Sequence, residues 1–246
     1  MNDLAMIVAT LHWPDWSRCV VSWSEKEVWP HTRRVYCGMP ILEAYQHGFE
    51  ESPEAILGFV HDDVVCLEDG WDMRVLKEFE DSNVGLVGLG GALGLGDEDI
   101  YKTPYRLSQL ARHTFMSNMR EAEAHGQRFT GDCDVACFDG FALFVRRQVL
   151  ERSKWWLNTI GPEGRALEQC GSGWPVGTPV NYFMYDAWIS CEARRQGWKS
   201  RLVGVECDHL GGKSTGLGQV MDGRDFERAH EYIYETCRDV LPMRVK

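Results

Sequence analysis

The stretch Ile56-Leu57-Gly58-Phe59-Val60-His61-Asp62-Asp63-Val64 joins an apolar run directly to an imidazole and two adjacent carboxylates. Five consecutive small or apolar residues between helical patterns are typical of a buried strand in an α/β sheet. Ligands of open α/β sheets bind outside the carboxyl ends of the strands. The sequence therefore predicts that Asp62 and Asp63 lie where a substrate or metal ion binds, with a solvated turn after the strand as the simpler alternative.

Strand and helix patterns alternate through the first part of the chain. Apolar runs at 4–10 and 84–89 have the length and composition of strands. Apolar residues recur at helical spacing over 39–51 and 71–79, and a polar, tryptophan-rich segment after the first strand leads into a loop and helix. Such alternation is typical of a parallel sheet with crossover helices. We therefore predict an α/β fold, which at 246 residues forms a single domain.

The second half of the chain has a less regular pattern. A glycine-rich loop and a polar, helix-like stretch near 107–124 are expected to lie outside the sheet. The segment 161–180 is rich in glycine and proline and indicates a long loop. The predicted helix before Gly197 ends at that glycine. The elements predicted in this half are strands at 141–145 and 200–207 and helices at 147–156 and 182–196.

The bulk composition limits the classes of partner and compartment. A formal net charge of -11 argues against a broad nucleic-acid-binding face. The nine cysteines are odd in number and scattered, and the chain begins without a basic and apolar leader, so we expect a reducing, cytoplasmic location. Cys133 and Cys137 lack a second pair nearby and are interpreted as ordinary thiols rather than zinc ligands. Because no stretch approaches the roughly 18 apolar residues of a transmembrane helix, we expect no membrane span.

Two glycine motifs resemble nucleotide-binding loops and fail on inspection. Gly212-Lys213-Ser214 looks like the end of a P-loop, but the position that requires the first glycine is Cys207. Gly88-Leu89-Gly90 begins like a dinucleotide fingerprint, but the third glycine position is Leu93. Neither a P-loop enzyme nor a Rossmann dehydrogenase is therefore indicated.

Three further segments, in order, carry a resemblance to a known family. The first, 138–150, is a small-residue turn, an apolar strand and paired basic residues; the second, 183–198, opens a helix with an acidic motif and closes it with glycine. The third, 203–212, is a strand that ends in His209 before a glycine-rich loop. Together with His61-Asp62-Asp63, these segments resemble the GT-A glycosyltransferases, most closely the family 2-like inverting enzymes.

The resemblance implies a fold and an activity. The expected fold is GT-A, a Rossmann-like and mostly parallel central sheet flanked by helices, in a single domain. It implies a donor-binding half at about 1–90, an acceptor-side half at about 91–216 and a C-terminal helix at about 222–240. The expected activity is transfer of a sugar, with inversion, from a nucleotide-diphosphate sugar to an acceptor hydroxyl. Mn²⁺ or Mg²⁺ is the expected cofactor and a UDP-sugar the default donor.

The resemblance also assigns the metal motif. The last carboxylate of the family's acidic triplet binds the metal, and here that position is Asp63. His209 matches the histidine that completes the metal site in many relatives, and an imidazole suits Mn²⁺ better than Mg²⁺. The first position of the triplet contacts the nucleotide in the family; here it is His61 in place of the common Asp. Asp62, in the middle, is expected to support the metal or share it.

The remaining site residues are assigned in the same way. Asp186 matches the general base that takes the proton of the acceptor hydroxyl, and its position in the first turn of a helix favours the charged form. A simple helix cap is the alternative for Asp186. The residues implied in donor binding are Thr10 and Asp15 at the nucleoside, Gly140 beside the sugar, and Lys213 and Ser214 over the diphosphate.

Several interpretations stay open at this point. A catalytically silent GT-A-like domain that binds a sugar or a partner protein is one, since His61 departs from the family pattern. A nucleotidyltransferase is another, although the basic glycine-rich loop it needs after the first strand is missing. The acceptor could be a saccharide, a lipid-linked sugar, a protein or a modified nucleic-acid base, including one in viral DNA. Trp155, Trp156 and Trp174 are candidates for stacking on the acceptor side or for the core. The sequence does not indicate an oligomeric state.

Overall fold

The computed structural model of the chain describes residues 3–10, 13–38, 41–96, 115–120, 122, 126–153, 169–170, 174–175, 184–210, 230 and 232–245. Of residues 13–16, 169–170 and 174–175 it describes the backbone alone.

The first half of the chain alternates strands and helices, as its pattern predicts. In chain order its elements are β1 (Leu4–Thr10), α1 (Trp13–Lys26), β2 (Thr32–Cys37), α2 (Ile41–Glu51), β3 (Ile56–His61), β4 (Val64–Cys66), α3 (Trp71–Glu78), β5 (Val84–Gly88), β6 (Gly90–Ala92) and β7 (Gly94–Leu95).

The second half adds short strands around two further helices. Its elements are β8 (Phe115–Ser117), β9 (Gln127–Arg128), β10 (Asp132–Asp134), β11 (Cys137–Phe138), β12 (Ala142–Arg146), α4 (Arg147–Arg152), β13 (Gln169–Cys170), β14 (Trp174–Pro175), α5 (Tyr185–Arg195), β15 (Lys199–Val203), β16 (Cys207–His209) and β17 (Met243–Arg244).

A seven-stranded sheet in the order β10-β15-β5-β12-β3-β1-β2 forms the centre of the molecule. β12 is antiparallel to β3 and β5, and β10 is antiparallel to β15, while the other neighbours are parallel. The sheet is thus mostly parallel, as predicted. Because β12 runs against β3, it begins where β3 ends: the His61 N–H donates to the Phe141 carbonyl at 2.9 Å. This reversal brings residues 139–141 to the carboxyl end of β3.

The core lies on both faces of this sheet. Along β1 the side chains alternate, so that Ala5 and Ile7 join one buried cluster and Leu4, Met6 and Val8 join the other. Helices α2 and α5 cover the first face, and α1 and α3 cover the second. Burial on both faces explains why the central strands are continuous apolar runs rather than alternating ones.

Three details of the predicted elements are corrected. The helix-like stretch near 107–124 is wrong at 115–117, which form β8 and pair with β6 outside the central sheet, whereas Ala122 is helical. The single strand predicted at 200–207 is two strands, β15 in the central sheet and β16 paired with β4. Strand β2 was not predicted, because its polar sequence Thr-Arg-Arg-Val-Tyr-Cys lies half-exposed at the sheet edge.

Two other expectations concern the C-terminal segment and membranes. Residues 230 and 232–236 are helical, and the rest of the helix predicted at about 222–240 lies largely outside the described residues. Among the helices that the structure describes, none combines the length and apolar character needed to cross a membrane.

Candidate active site

A metal-ligating cluster forms at the carboxyl end of β3. His61 is the last residue of this strand, and Asp62 and Asp63 form the turn into β4. β16 pairs antiparallel with β4, with His209 opposite Val64, and the Leu210 N–H donates to the Asp63 carbonyl at 2.9 Å. This pairing places His209 Nε2 at 3.3 Å from Asp63 Oδ1. The two residues predicted as metal ligands are therefore neighbours.

His61 joins the same cluster. One ligand atom each from His61, Asp63 and His209 lies within 4.8 Å of the others. The residue that stands at the nucleotide position of the family motif is therefore placed to share a metal ion, whereas Asp62 is not a member of this cluster. Two imidazole nitrogens and one carboxylate oxygen form a donor set that suits Mn²⁺ and other transition ions better than Mg²⁺.

The charges of His61 and Asp63 suit a metal ion. Burial lowers the pKa of His61 to about 4, and the charge of His209 adds to this effect, so the His61 imidazole is neutral at pH 7. Burial raises the pKa of Asp63, but the hydrogen bond and charge of His209 outweigh it and leave the pKa below its ordinary value. A neutral imidazole and an ionised carboxylate are the forms that bind metals. Burial lowers the pKa of His209, but the hydrogen bond and charge of Asp63 outweigh it and leave the pKa above its ordinary value, so a metal ion has to displace a proton from His209.

Packing fixes the strand ends that carry these side chains. The ring of Phe141 stacks on His209 with centroids 5.3 Å apart. The Cys19 thiol of α1 donates to the His61 carbonyl at 3.2 Å, and the Trp23 indole N–H donates to the Val64 carbonyl at 3.0 Å. The cluster therefore rests on groups held by the core rather than on a free loop.

Asp186 lies in the first turn of α5, beside the turn that precedes β12. Met184 has a left-handed backbone, φ 64°, and turns the chain into the helix. The Asp186 carboxylate is 8% exposed and accepts hydrogen bonds from the Gly140 N–H at 2.8 Å and the Ala187 N–H at 2.7 Å. Burial raises its pKa to about 7, and the charge of Asp139 adds to the increase. A carboxylate with this pKa can exchange a proton near neutral pH.

Tyr185 links Asp186 and the metal-ligating cluster, a role that no sequence pattern indicates. Its hydroxyl lies 2.8 Å from His61 Nε2 and donates to the Gly140 carbonyl at 2.9 Å. A Cβ on Gly140 would overlap this hydroxyl. The position of the Tyr185 hydroxyl is thus a structural reason for glycine at position 140.

The other predicted donor-binding residues are only partly described. Thr10 is buried at the end of β1, one residue beyond Ala9, which is paired with His61, so it lies at the same edge as the cluster. The predictions for Lys213, Ser214, Trp155 and Trp156 lie outside the described residues, as do those for the side chains of Asp15 and Trp174.

Comparison with known sequences gives one family. A sequence model described as "Glycosyltransferase like family" matches residues 32–158, just over half of the chain. The matched segment includes β3, the Asp62-Asp63 turn and β12. None of the curated protein sequences matches this chain.

Comparison with solved structures gives relatives in fold. The mannosyltransferase PcManGT from Pyrobaculum calidifontis, in complex with GDP-Man and Mn2+, is 11% identical over 94% of this chain and 69% of its own, with a TM-score of 0.50. A197 from STIV is 11% identical over 86% and 87%, with a TM-score of 0.47. GalNAc-T7 with UDP, GalNAc and Mn2+ is 11% identical over 83% of this chain and 43% of its own, with a TM-score of 0.49. At this identity the likeness to PcManGT concerns the fold, and it confirms the predicted GT-A architecture.

Proposed function

Because this chain belongs to the glycosyltransferase-like family, we propose that it transfers a sugar from a nucleoside-diphosphate sugar to an acceptor hydroxyl with the help of a divalent metal ion. The observation that carries the proposal is the cluster of His61, Asp63 and His209 beside Asp186, at the carboxyl end of β3. This is the edge where ligands of α/β sheets bind. The mannosyltransferase of similar fold was solved with GDP-Man and Mn2+, which supports the same class of donor and metal here.

The metal ion would be held by His61, Asp63 and His209. The three donors are fewer than the six of an octahedral ion, so positions remain for diphosphate oxygens. When bound, a divalent cation stabilises the negative charge that grows on the departing diphosphate. We favour Mn²⁺ over Mg²⁺, because two of the three donors are imidazoles.

Asp186 is proposed as the general base of an inverting reaction. The acceptor oxygen attacks the anomeric carbon from the side opposite the diphosphate, and the bond from that carbon to the diphosphate oxygen breaks. The acceptor proton passes to Asp186, whose pKa of about 7 suits a base that works near neutral pH. The Gly140 and Ala187 N–H groups hold the carboxylate in place during this transfer.

The donor is proposed to lie along the carboxyl ends of β1 and β3, with a UDP-sugar as the default. The residues proposed for donor binding are Thr10, Asp15, Asp62, Gly140, Lys213 and Ser214. We also propose a cytoplasmic location. The described cysteines are free thiols, in keeping with a reducing compartment.

A second candidate function is a domain that binds a nucleotide sugar without turnover. The specific observation in its favour is the confinement of Asp186, whose two oxygens each accept a backbone hydrogen bond at 8% exposure. A carboxylate in that setting can serve as a structural cap. This candidate predicts donor binding that is insensitive to Asp186→Asn, together with no release of nucleotide.

Hydrolysis of a panel of UDP-, GDP- and dTDP-sugars, with and without Mn²⁺, tests the proposal. We expect Mn²⁺-dependent release of one nucleotide, loss of this release in Asp63→Ala, and a fall of about 10²- to 10⁴-fold in Asp186→Asn. Asp69→Ala is the matched control, because Asp69 is an exposed carboxylate paired with Lys26 at 2.7 Å. Donor binding without release would favour the second candidate. Neither binding nor release would contradict both.

A further inference from the structure

We propose that Tyr185 is a positioning residue of the metal centre, which holds the His61 proton on Nε2 and so leaves Nδ1 free to bind the metal. The inference rests on the proposed function, since it concerns the same cluster. Tyr185 does not contact the metal itself; it acts through His61. No family motif assigns this role, because it follows from a contact between α5 and the end of β3.

The direction of each hydrogen bond follows from what its groups can donate. The Tyr185 hydroxyl has one hydrogen, and the Gly140 carbonyl can only accept, so the hydroxyl donates to the carbonyl at 2.9 Å. The second contact of this hydroxyl, 2.8 Å to His61 Nε2, must then be donated by the ring. A neutral imidazole carries one N–H. With the hydrogen on Nε2, the lone pair that remains for a metal is on Nδ1.

Burial keeps this arrangement in a single state. Tyr185 is 3% exposed, so water has little access to compete for its hydroxyl. The ring packs edge-on against Tyr45 with centroids 5.7 Å apart, and the missing side chain of Gly140 leaves the space that the hydroxyl fills. Metal-ligating histidines commonly donate their second N–H to a fixed partner, which sets the tautomer and the orientation of the ring.

The same contacts connect the metal ligand to Asp186. The carbonyl of Gly140 accepts from Tyr185, and the N–H of Gly140 donates to Asp186 Oδ2 at 2.8 Å. One glycine therefore sets both the tautomer of His61 and the position of the carboxylate. A shift of Tyr185 would act directly on His61 and therefore on the metal site. It would act on Asp186 only indirectly, through Gly140.

Binding of Mn²⁺ alone to the full chain tests the role, with free Mn²⁺ measured by electron paramagnetic resonance. We expect Tyr185→Phe to weaken Mn²⁺ binding about 10- to 100-fold, the usual effect of removing an outer partner of a metal ligand. Tyr36→Phe is the matched control, because the Tyr36 hydroxyl donates to Glu51 at 3.0 Å on the edge strand β2 and does not contact Tyr185 or His61. Its affinity should stay within about twofold of wild type. Equal affinities of wild type and Tyr185→Phe would overturn the inference while leaving the metal site standing.

Nitrogen-15 NMR of the histidines in metal-free wild-type protein gives a second test, which does not depend on the Tyr185 variant. With His61 assigned by comparison with His61→Gln, we expect its two-bond correlations to show the neutral Nε2–H form. A proton on Nδ1 would overturn the inference whatever the activity. Absence of Mn²⁺ binding and of nucleotide release in the wild type would instead contradict the proposed function, and the inference with it.

Discussion

Asp186 combines nearly complete burial with two backbone hydrogen bonds, and its pKa of about 7 compares with about 3.9 for an aspartate in an unfolded chain. Between these two values the unfolded chain loses the proton while the folded protein keeps it. Rising pH therefore favours unfolding over this range, and the effect ends above about pH 7. If Asp186 is the general base, the reaction rate rises near pH 7, where its carboxylate ionises in the folded protein.

We expect the free energy of unfolding of wild type to fall relative to that of Asp186→Asn as the pH rises from about 4 to about 7. Urea unfolding of both proteins at several pH values measures the difference in unfolding free energy. At each pH, Asp186→Asn is the reference that lacks the ionisable group. In wild type, kcat/KM should rise through about pH 7, because it reports the pKa of the base in the free enzyme. Parallel stability profiles for the two proteins would show that Asp186 ionises normally.

Gly140→Ala is expected to disturb the metal site without touching a ligand. The added Cβ would overlap the Tyr185 hydroxyl, so Tyr185 must move away from His61 at a cost of about 1–3 kcal/mol in stability. Because Tyr185 then no longer holds His61, the Mn²⁺ affinity measured by calorimetry should fall as well. Gly131→Ala is the control, because its Cβ meets only the far edge of the Phe129 ring at 3.3 Å. Because Tyr185→Phe removes the nearest overlapping atom but keeps the ring carbon Cζ, which would lie 2.5 Å from the added Cβ, it should relieve only part of this cost in the Gly140→Ala background.

Single residues of the site differed in how far the sequence could predict them. Asp63 follows from a general rule, since ligands bind at the carboxyl ends of the strands of an α/β sheet. His209 was predicted through the resemblance to the GT-A glycosyltransferases, and the structure places it 3.3 Å from Asp63. Tyr185 could not be predicted, because an aromatic residue at the start of a helix looks the same whether it fills the core or donates to a carbonyl. The membership of His61 in the cluster depends on tertiary contacts of its ring, with the Tyr185 hydroxyl and with the His209 ring, which the sequence does not show.

At the scale of elements, the pairing of β4 with β16 decides whether His209 reaches Asp63. Hydrogen-bonded and non-hydrogen-bonded pairs alternate along an antiparallel ladder. The Leu67 N–H donates to the Glu206 carbonyl at 2.9 Å, so the next pair along, Cys66 and Cys207, is non-hydrogen-bonded. Side chains approach most closely at such a pair, where the Cα atoms are about 4.5 Å apart.

We expect mild oxidation of the folded chain with diamide to link Cys66 and Cys207, because their Cα separation falls within the range of disulfides, about 4.4–6.8 Å. Burial raises the pKa of the Cys66 thiol to about 12, so the reaction should be slow at neutral pH and faster at higher pH. Peptide mapping by mass spectrometry identifies the link. Cys66→Ser should remove it without creating another. A link between Cys191 and Cys237 is independent of this register, because the hydrogen bond with Cys191 lowers the pKa of Cys237 to about 7. Cys66 and Cys207 that stay reduced even at high pH would contradict the register.

The elements themselves were predictable where burial was complete. Strands β1, β3 and β5 are apolar on both faces and were found close to their predicted bounds. The half-exposed β2 at the sheet edge carries two arginines and lacks the continuous apolar run that indicates a buried strand. The split between β15 and β16 was also hidden, because the apolar residues Leu202, Val203 and Val205 continue from the first strand towards the second, and the break depends on the partner that each strand pairs with.

For the whole molecule, the site is a junction of segments far apart in the chain. The turn after β3, the turn before β12, the start of α5 and the end of β16 converge at one edge of the central sheet. The cluster joins two of these segments through His61, Asp63 and His209. The site is assembled only in the folded state, so the free energy of binding an ion there adds to the stability of the whole fold.

Mn²⁺ should therefore raise the melting temperature of the protein in a way that depends on Asp63. At a hundredfold excess over its dissociation constant, a ligand of the folded state adds about 2.7 kcal/mol. For domains of 150–250 residues each kcal/mol shifts Tm by about 2–4 °C, which gives a rise of about 5–10 °C in a scanning calorimetry trace. Asp63→Ala should lose the rise and Asp69→Ala should keep it, because Asp69 is exposed and paired with Lys26. Mg²⁺ should give the smaller shift, since it binds imidazole poorly. An equal rise in wild type and Asp63→Ala would place the ion elsewhere in this acidic chain, whose net charge is -11.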